Sequence, residues 1–285
     1  MLLGAHVSSA GGVPNAPGRA DAIGATAMQF FSKQASRWAE RPCDPAECAA
    51  FTGALGRTAV AATAVHDSYL INLASPDDVL RVRSMISFIS ELRRCAALGV
   101  DYLVSHPGNY MDDRASGIDR NVEGIVAGLE CVPGRTMVLL ETTAGSGTAL
   151  GASFEEIAAI IDRIPRALRP RVGVCADTAH LFAAGYDLAG DFEAVWARFD
   201  DTVGRERLRM LHLNDSKAPL GSRRDRHELI GAGTLGAEPF RRIMTDDRFV
   251  AIPKVIETPK LDDAETTDRR MLTLLRALAG ETRAD

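Results

Sequence analysis

The sequence predicts an α/β protein built as a (β/α)8 TIM barrel, and three observations lead to that fold class. Short apolar runs recur eight times, at residues 2–6, 27–31, 60–66, 100–106, 137–141, 172–177, 208–214 and 253–257. Helical signals lie between these runs, and no linker, low-complexity tract or charge block divides the chain. The 285 residues average about 36 per repeat, close to what such a barrel requires. We therefore expect a single domain over residues 1–285.

The eight runs are expected to be parallel strands. They are short, often β-branched and apolar at nearly every position, as in strands that are covered on both faces of a sheet. The first run is followed by Gly11-Gly12-Val13, a poor match to the Gly-rich phosphate loop of an open doubly wound sheet. A closed barrel is therefore favoured over that alternative.

Helix ends are readable at three places. Ser75-Pro76-Asp77-Asp78 supplies a cap, a first-turn proline and acids ahead of a long amphipathic stretch that ends near Leu98-Gly99. Ser153 and Glu156 have the spacing of a capping box. Residues 192–203 precede Gly204, which favours a left-handed helix stop. These signals place helices in three of the gaps between strands.

Composition excludes several classes of protein. No apolar run approaches the ~20 residues of a membrane helix, and the first residues lack the basic and long apolar segments of a signal peptide. Five cysteines, an odd number without a CxxC pair, indicate reduced thiols in a cytoplasmic protein. The net charge of −5 argues mildly against a polyanionic partner.

Ligand-type residues recur at the end of each run from the third to the eighth. In chain order they are His66, His106, Glu141, Asp177, His212 and Glu257. In a barrel these ends converge on the C-terminal mouth of the strands, where such enzymes keep their active sites. Three carboxylates crowded there would repel one another unless a cation lay between them. Because neutral imidazoles are natural co-ligands of zinc or manganese, the pattern indicates a metal site.

Two further clusters enlarge the set of ligands. His180 follows Asp177 by three residues, and Asp225 and His227 are two apart in a predicted extended loop. Nine ligand-type residues are too many for one ion, so we expect two or three ions with a bridging carboxylate. His6, at the end of the first strand, is either a donor to a ligating carboxylate or a buried histidine.

The number of ions separates two chemistries. Several divalent ions suit the hydrolysis of phosphate esters. A single ion at Glu141, Asp177, His212 and Glu257 would suit a sugar isomerase or epimerase, which is the alternative. The residues beyond that four-ligand core decide between them: His66, His106, His180, Asp225 and His227. A non-catalytic DNA- or sugar-binding barrel would be expected to have lost a ligand, and the set is complete.

Three stretches of the chain resemble the signature regions of the endonuclease IV family of apurinic/apyrimidinic endonucleases. They are residues 66–74 (His-Asp-Ser-Tyr-Leu-Ile-Asn-Leu-Ala), 174–180 (Val-Cys-Ala-Asp-Thr-Ala-His), and 212–217 (His-Leu-Asn-Asp-Ser-Lys) continuing through 221–227. The likeness extends from residues 3–8 to Glu257-Thr258, nearly the whole chain. Thr142 and Ala179 depart from residues that are usual in the family, at positions beside the ligands.

The resemblance implies a three-zinc enzyme of DNA repair, with manganese left open at one position. The first ion would be held by His66, His106 and Glu141; the second by Glu141, Asp177, His212 and Glu257; the third by His180, Asp225 and His227. The family cleaves DNA 5′ to abasic sites, leaving a 3′-hydroxyl and a 5′-deoxyribose phosphate, and trims blocked 3′ ends. Glu257 would act as a base or orienting carboxylate, and Glu141 would bridge two ions.

The resemblance also implies contacts to double-stranded DNA. Tyr69 and Leu70 match residues that wedge into the duplex at the abasic site, and a core Tyr-Leu pair is the alternative. Arg37 lies in a loop, residues 33–38, that departs from the family pattern in two ways: Gln34 replaces an Asn, and the arginine is one place nearer Trp38. Its insertion into DNA is therefore left open. Basic residues of the seventh loop would hold phosphates or be merely solvated: Lys217, Arg223, Arg224 and Arg226.

Three divalent ions would change the net charge from −5 to +1, so affinity should rest on the mouth and its loops. The expected partner is duplex DNA with abasic sites or blocked 3′ ends, met in the cytoplasm at the nucleoid. Neither a membrane nor an obligate protein partner is expected.

Overall fold

Eight parallel strands close into a barrel in the computed structural model, which describes residues 1–40, 42, 44–261 and 263–280. Going round the barrel, each strand pairs with the next one in sequence, and the last pairs with the first. The strands are β1 (Leu3–His6), β2 (Ala27–Phe31), β3 (Ala62–His66), β4 (Tyr102–Ser105), β5 (Met137–Glu141), β6 (Val172–Asp177), β7 (Leu208–His212) and β10 (Lys254–Ile256). The predicted fold class is therefore confirmed.

Two short strands, β8 (Asp215–Ser216) and β9 (His227–Glu228), form an antiparallel pair outside the barrel. They lie in the long loop between β7 and α8 (Glu238–Thr245), part of which the sequence predicts to be extended. Asp215 pairs with Glu228, and Ser216 pairs with His227. This ladder brings the far end of the loop back to the mouth of the barrel.

Helices follow the strands and surround the barrel. They are α1 (Ala16–Ala22), α2 (Pro45–Leu55), α3 (Asp78–Leu98), α4 (Arg114–Cys131), α5 (Phe154–Arg163), α6 (Thr178–Ala184), α7 (Phe192–Thr202), α8 (Glu238–Thr245) and α9 (Ala264–Leu278). No helix in the described part of the chain has both the length and the apolar character needed to cross a bilayer. Cys43 lies outside the described residues, while Cys48, Cys131 and Cys175 carry free thiols.

Helix ends agree with the predicted signals except at the start of α3, and Gly204 follows α7 with a positive φ of 96° as expected. Gly99 ends α3 in the left-handed conformation (φ 72°), and Ser153 caps α5 by accepting a hydrogen bond from the Glu156 amide. At the start of α3 the prediction is wrong by two residues. Asp77, not Ser75, is the N-cap, because its carboxylate accepts the Leu80 amide, while the Ser75 hydroxyl accepts from Asp77 itself.

The barrel interior divides into an apolar lower part and a polar mouth. Its lower part is filled by a compact set of inward-facing side chains: Ala27, Ala62, Ala64, Val104, Leu139, Cys175, Met210 and Val255. A larger apolar core lies between the strands and the helices. The interior is thus a packed floor beneath the mouth rather than a pore, as in other barrels of this type.

Candidate metal centre at the barrel mouth

The six ligand-type residues predicted at strand ends meet at the carboxyl ends of the strands. His66, Glu141, Asp177 and His212 are the last residues of β3, β5, β6 and β7. His106 and Glu257 each lie within one residue of a strand end, after β4 and β10. Because all eight strands are parallel, these side chains share one rim.

Potential ligand atoms form three overlapping groups, within each of which all the atoms lie within 4.8 Å of one another. The groups are His66, His106 and Glu141; then Glu141, Asp177, His212 and Glu257; and then Asp177, His180 and His227. Asp225 joins the third group, because its two carboxylate oxygens lie 3.2 Å from His180 Nε2 and 3.2 Å from His227 Nε2. The structure therefore brings all nine predicted residues together.

Glu141 is the central carboxylate of the cluster and is fully buried. Its Oε2 lies 3.0 Å from His66 Nε2 and 3.2 Å from His106 Nε2. Its Oε1 lies 3.1 Å from His212 Nδ1 and 3.3 Å from His180 Nδ1. One carboxylate thus faces two groups at once, the arrangement that a bridging ligand needs.

Backbone carbonyls orient three of the imidazole rings. His66 Nδ1 lies 2.9 Å from the carbonyl oxygen of Asp67. His180 Nδ1 lies 2.8 Å from the carbonyl oxygen of Thr142, and His227 Nδ1 lies 3.3 Å from that of Glu257. A carbonyl only accepts, so each Nδ1 carries a proton and each Nε2 faces carboxylates. His227 Nε2 is buried; it lies 3.2 Å from the Asp225 carboxylate, but among the described residues it makes no hydrogen bond of acceptable geometry. In its neutral form each ring presents an Nε2 lone pair to carboxylates, an arrangement that a divalent cation satisfies, so the donor set fits metal ions.

The electrostatics of the cluster support the same conclusion. Burial alone would raise the pKa of Glu141, but the imidazoles of His212 and His106 hold that pKa well below its usual value. Burial would lower the pKa of His66, yet hydrogen bonding to Glu141 and the charges of nearby carboxylates raise it to about 9. Without a metal, protons on the imidazoles supply the positive charge between the carboxylates. A metal binding there would release them.

Two buried amides in the site were not singled out from the sequence. Gln29 of β2 is fully buried, with Nε2 2.6 Å from Glu257 Oε1 and Oε1 2.9 Å from His212 Nε2. Asn214 donates to Asp177 Oδ2 at 2.6 Å and accepts from the Glu257 amide at 2.7 Å. A lone polar residue inside the apolar run 27–31 is the signal that could have revealed Gln29.

His6, whose role the sequence left open, and Thr142, which departs from the family pattern, both lie beside the ligands. His6 Nδ1 is 3.2 Å from Glu257 Oε1, a contact that favours the donor interpretation over that of an isolated buried histidine. Burial lowers the pKa of His6, so the ring is neutral near pH 7. The Thr142 hydroxyl accepts from the Asp177 amide at 3.0 Å, so this departure from the family still supports a ligand.

The predicted DNA-contacting residues line the rim of a 380 Å³ cleft or lie on the loops beside it. Tyr69 is 70% exposed, with its ring edge-on to Phe31 at 5.1 Å, so it is not part of a core pair; Leu70 is half-buried. Arg37, Lys217 and Arg223 are exposed.

Hydrogen bonds hold the loops that carry these cations. The Lys33 Nζ donates to the Arg37 carbonyl at 3.1 Å, and the Arg223 carbonyl accepts from Ser146 Oγ at 2.5 Å. Lys217 Nζ lies 3.4 Å from the Glu228 carboxylate. Lys260, which the sequence did not single out, also lines the cleft.

Comparisons with known proteins identify the family of the chain. Residues 18–278 match the family described as "Xylose isomerase-like TIM barrel". The chain is 47% identical to the probable endonuclease 4 of Chloroflexus aggregans over 99% of both chains. It is 44% identical to the probable endonuclease 4 of Geobacter sulfurreducens, over 98% of this chain and 95% of that protein.

Two solved structures resemble the chain to different degrees. The endonuclease IV of Thermus thermophilus superposes with a TM-score of 0.88 at 35% identity, covering 99% of this chain and 100% of that one. A D-psicose 3-epimerase superposes with a TM-score of 0.67 at 16% identity, covering 98% of this chain and 100% of that one. The second likeness shows the fold alone.

Proposed function

Since the chain belongs to the endonuclease IV family, we propose that it is a zinc-dependent phosphodiesterase of DNA repair. It cleaves the backbone 5′ to abasic sites, leaving a 3′-hydroxyl and a 5′-deoxyribose phosphate, and it trims blocked 3′ ends. Its substrate is double-stranded DNA, met in the cytoplasm at the nucleoid. Residues 1–285 act as one domain, a proposal supported by strands from residue 3 to residue 256 that close one barrel.

One observation carries this proposal: the residues beyond the four-ligand core lie in the same cleft as that core. His66 and His106 adjoin Glu141 on one side, and His180, Asp225 and His227 adjoin Asp177 on the other. An epimerase with one ion at Glu141, Asp177, His212 and Glu257 would have no use for these five side chains. A site with several ions uses all nine.

The proposed zinc ligands are the three sets named from the family resemblance. His66, His106 and Glu141 would hold one ion, Glu141, Asp177, His212 and Glu257 a second, and His180, Asp225 and His227 a third, with manganese as the alternative at one position. When bound, such ions supply Lewis acidity, which activates water and stabilises the charge that develops on a phosphodiester.

Glu257 is the carboxylate best placed to handle a proton. Its side chain is 18% exposed towards the cleft, whereas those of Glu141 and Asp177 are at most 1% exposed. Gln29 and His6 contact its Oε1, which leaves Oε2, 3.3 Å from His212 Nδ1, as the oxygen free to act. Glu257 therefore orients the attacking water and accepts its proton, while Glu141 holds the two sides of the cluster together.

The loops around the cleft provide the DNA contacts. Tyr69 projects from the rim beside the predicted ligands, where its ring can replace an unstacked base step, with Leu70 next to it. Exposed cations on two other loops reach the phosphates: Arg37, Lys217 and Arg223. The same cleft admits a terminal 3′ block, because that block is also a phosphate ester.

The test combines metal analysis with a nicking assay. The purified protein should contain about three zinc ions per chain and should nick a duplex with one tetrahydrofuran abasic analogue without added magnesium. The product should carry a 3′-hydroxyl that a polymerase extends, and a duplex blocked by a 3′-phosphate should become extendable. One metal per chain, no nicking and epimerisation of a ketose would instead establish the epimerase.

A further inference from the structure

Gln29 is a polar residue in an otherwise apolar strand. Its neighbours Met28 and Phe30 face the outer core, so Gln29 points into the barrel, level with His6 on β1. It is fully buried, directly beneath the metal cluster. A buried carboxamide is costly unless its donor and acceptor groups are both satisfied.

The surroundings of Gln29 fix the orientation of its carboxamide. An ionised carboxylate can only accept, so the amide nitrogen faces Glu257 Oε1 at 2.6 Å, and it also lies 3.0 Å from His6 Nδ1. The amide oxygen then faces His212 Nε2 at 2.9 Å, and that nitrogen must carry the proton. His212 Nδ1 is therefore the nitrogen left for a metal, 3.1 Å from Glu141 and 3.3 Å from Glu257.

Gln29 contacts residues of strands that are not paired with its own. Strand β2 pairs with β1 and β3, whereas His212 belongs to β7 and Glu257 follows β10. The carboxamide thus crosses the interior and joins two members of the second ligand group. His212 Nε2 faces this side chain, whereas backbone carbonyls orient His66, His180 and His227, so Gln29 performs the orienting task for His212.

We propose that Gln29 is the positioning residue of the second metal group, fixing the tautomer of His212 and the orientation of Glu257. This inference rests on the proposed function only in requiring that the cluster bind metal. It concerns which residue prepares one of the ligand groups. Partners of this kind typically change metal affinity by about 10- to 100-fold.

The first test measures zinc in Gln29→Met, which keeps the length of the side chain and removes its hydrogen bonds. Competition with a chromophoric chelator should show three tightly held zinc ions in the wild type. In Gln29→Met one of the three should be held about 10- to 100-fold more weakly, with the other two unchanged. Thr63→Val is the matched control, because it removes a buried hydroxyl that donates to Asp101 outside the barrel; it should keep all three.

The second test reads the His212 ring directly by long-range 1H–15N NMR of the zinc-saturated protein. The wild type should show a slowly exchanging Nε2–H, assigned by its absence in His212→Ala, and Gln29→Met should lose that protection. Gln29→Glu serves if Gln29→Met does not fold. It keeps an oxygen for His212 but removes the donor to Glu257, so it should retain the His212 signal and still weaken one zinc.

The outcomes separate this inference from the proposed function. Gln29 variants that hold three zinc ions as tightly as the wild type, with unchanged His212 exchange, overturn the inference and leave the nuclease assignment standing. A wild-type protein that binds no metal overturns both.

Discussion

At the level of single residues, ring orientation decides which nitrogen of each histidine a metal can reach. In His66, His180 and His227 the protonated Nδ1 donates a hydrogen bond to a backbone carbonyl, and Nε2 points at carboxylates. In His212 the side chain of Gln29 faces Nε2 instead, so the orientation is reversed. The sequence predicts that these histidines meet, but it does not predict their tautomers, which depend on contacts made across the barrel.

Removal of His180 should disable the third ligand group and leave the other two in place. An outer partner of a ligand is worth about 10- to 100-fold in affinity or activity. Loss of the ligand itself should therefore cost at least about 100-fold in nicking of an abasic duplex, with one zinc ion lost per chain. Thr63→Val should nick like the wild type. If His180→Ala nicks at the wild-type rate, the three-ion proposal is wrong.

Lys254 should make the free energy of unfolding depend on pH in the alkaline range, well above the range in which the acids of the cluster titrate. Its ammonium group is buried, donating to the Phe249 and Ile252 carbonyls, and burial lowers its pKa to about 8. The unfolded chain keeps this lysine protonated up to about pH 10.4. Between these values the unfolded state binds more protons, so the contribution of Lys254 to stability rises with pH.

Urea unfolding of the wild type and Lys254→Met at pH 7.5 and pH 10 would measure this effect. The wild type should gain stability relative to the variant at the higher pH, by up to about 3 kcal/mol. Other groups titrate in both proteins and cancel in the difference. A difference in stability that is the same at both pH values would contradict the assignment.

At the level of elements, one buried carboxylate on β8 holds the segment that follows β9. Asp215 accepts the amides of Gly231 and Gly233 at 2.9 and 3.0 Å, and those of Ser216 and Leu235 at 2.7 and 3.1 Å. A Cβ at Gly233 would lie 2.4 Å from Asp215 Oδ1, so the close approach requires glycine there. This segment continues from β9, which carries His227 and is preceded by Asp225, so Asp215 supports the third ligand group without touching it.

Asp215→Ala should loosen the segment after β9, and with it the β8–β9 loop, and so weaken the third metal. Charge-assisted hydrogen bonds contribute about 1.5–3 kcal/mol each, so the loop should open locally. Trypsin should then cleave faster within residues 217–226, and one zinc ion should be lost per chain. Asp187→Asn is the control. The Asp187 carboxylate accepts the Gly190 amide in a turn away from this loop. Unchanged cleavage and zinc content in Asp215→Ala would refute this role.

The loop after β2 is held from behind by a second polar network. Glu40 pairs with Lys33 and Arg94, and it accepts from Ser87 Oγ on α3 at 2.6 Å. This network fixes the segment that carries Arg37, for which a DNA contact is proposed. Sequence reasoning identified the loop but not its anchors, because their pairing depends on how α3 packs beside β2.

Glu40→Gln should therefore act on DNA binding more than on the chemical step. We expect KM for the abasic duplex to rise several-fold with kcat nearly unchanged, because a looser loop weakens contacts without altering the metal ligands. Glu238→Gln, at an exposed pair with Arg241 on α8, should change neither constant. A fall in kcat at constant KM would show that the network serves the cluster instead.

At the level of the whole molecule, barrel closure explains why so much of the site could be predicted. Parallel strands place every carboxyl end on one rim, so a ligand-type residue recurring once per repeat implies a cluster. The role of Gln29 was not predicted because this residue lies one layer below that rim, where the apolar strand pattern indicates only a packed core. The error at the start of α3 has a similar cause, since Ser75 and Asp77 are both good caps and tertiary packing chose between them.

Net charge also acts at this scale, and it predicts how the protein distinguishes damaged from intact DNA. The chain carries −5, and three divalent ions would bring it to about +1, so no large basic excess attracts duplex in general. Binding to intact duplex should be weak, with a shallow dependence on salt, whereas an abasic duplex should bind much more tightly through the cleft.

The salt dependence can be tested with single charge removals. Lys217→Ala should lower the slope of log affinity against log salt concentration by about 1. Arg205→Ala removes the same charge just before β7, at the opposite end of the barrel, and should leave the slope unchanged. Tight, steeply salt-dependent binding to intact duplex would show instead that a broad phosphate-binding surface dominates recognition.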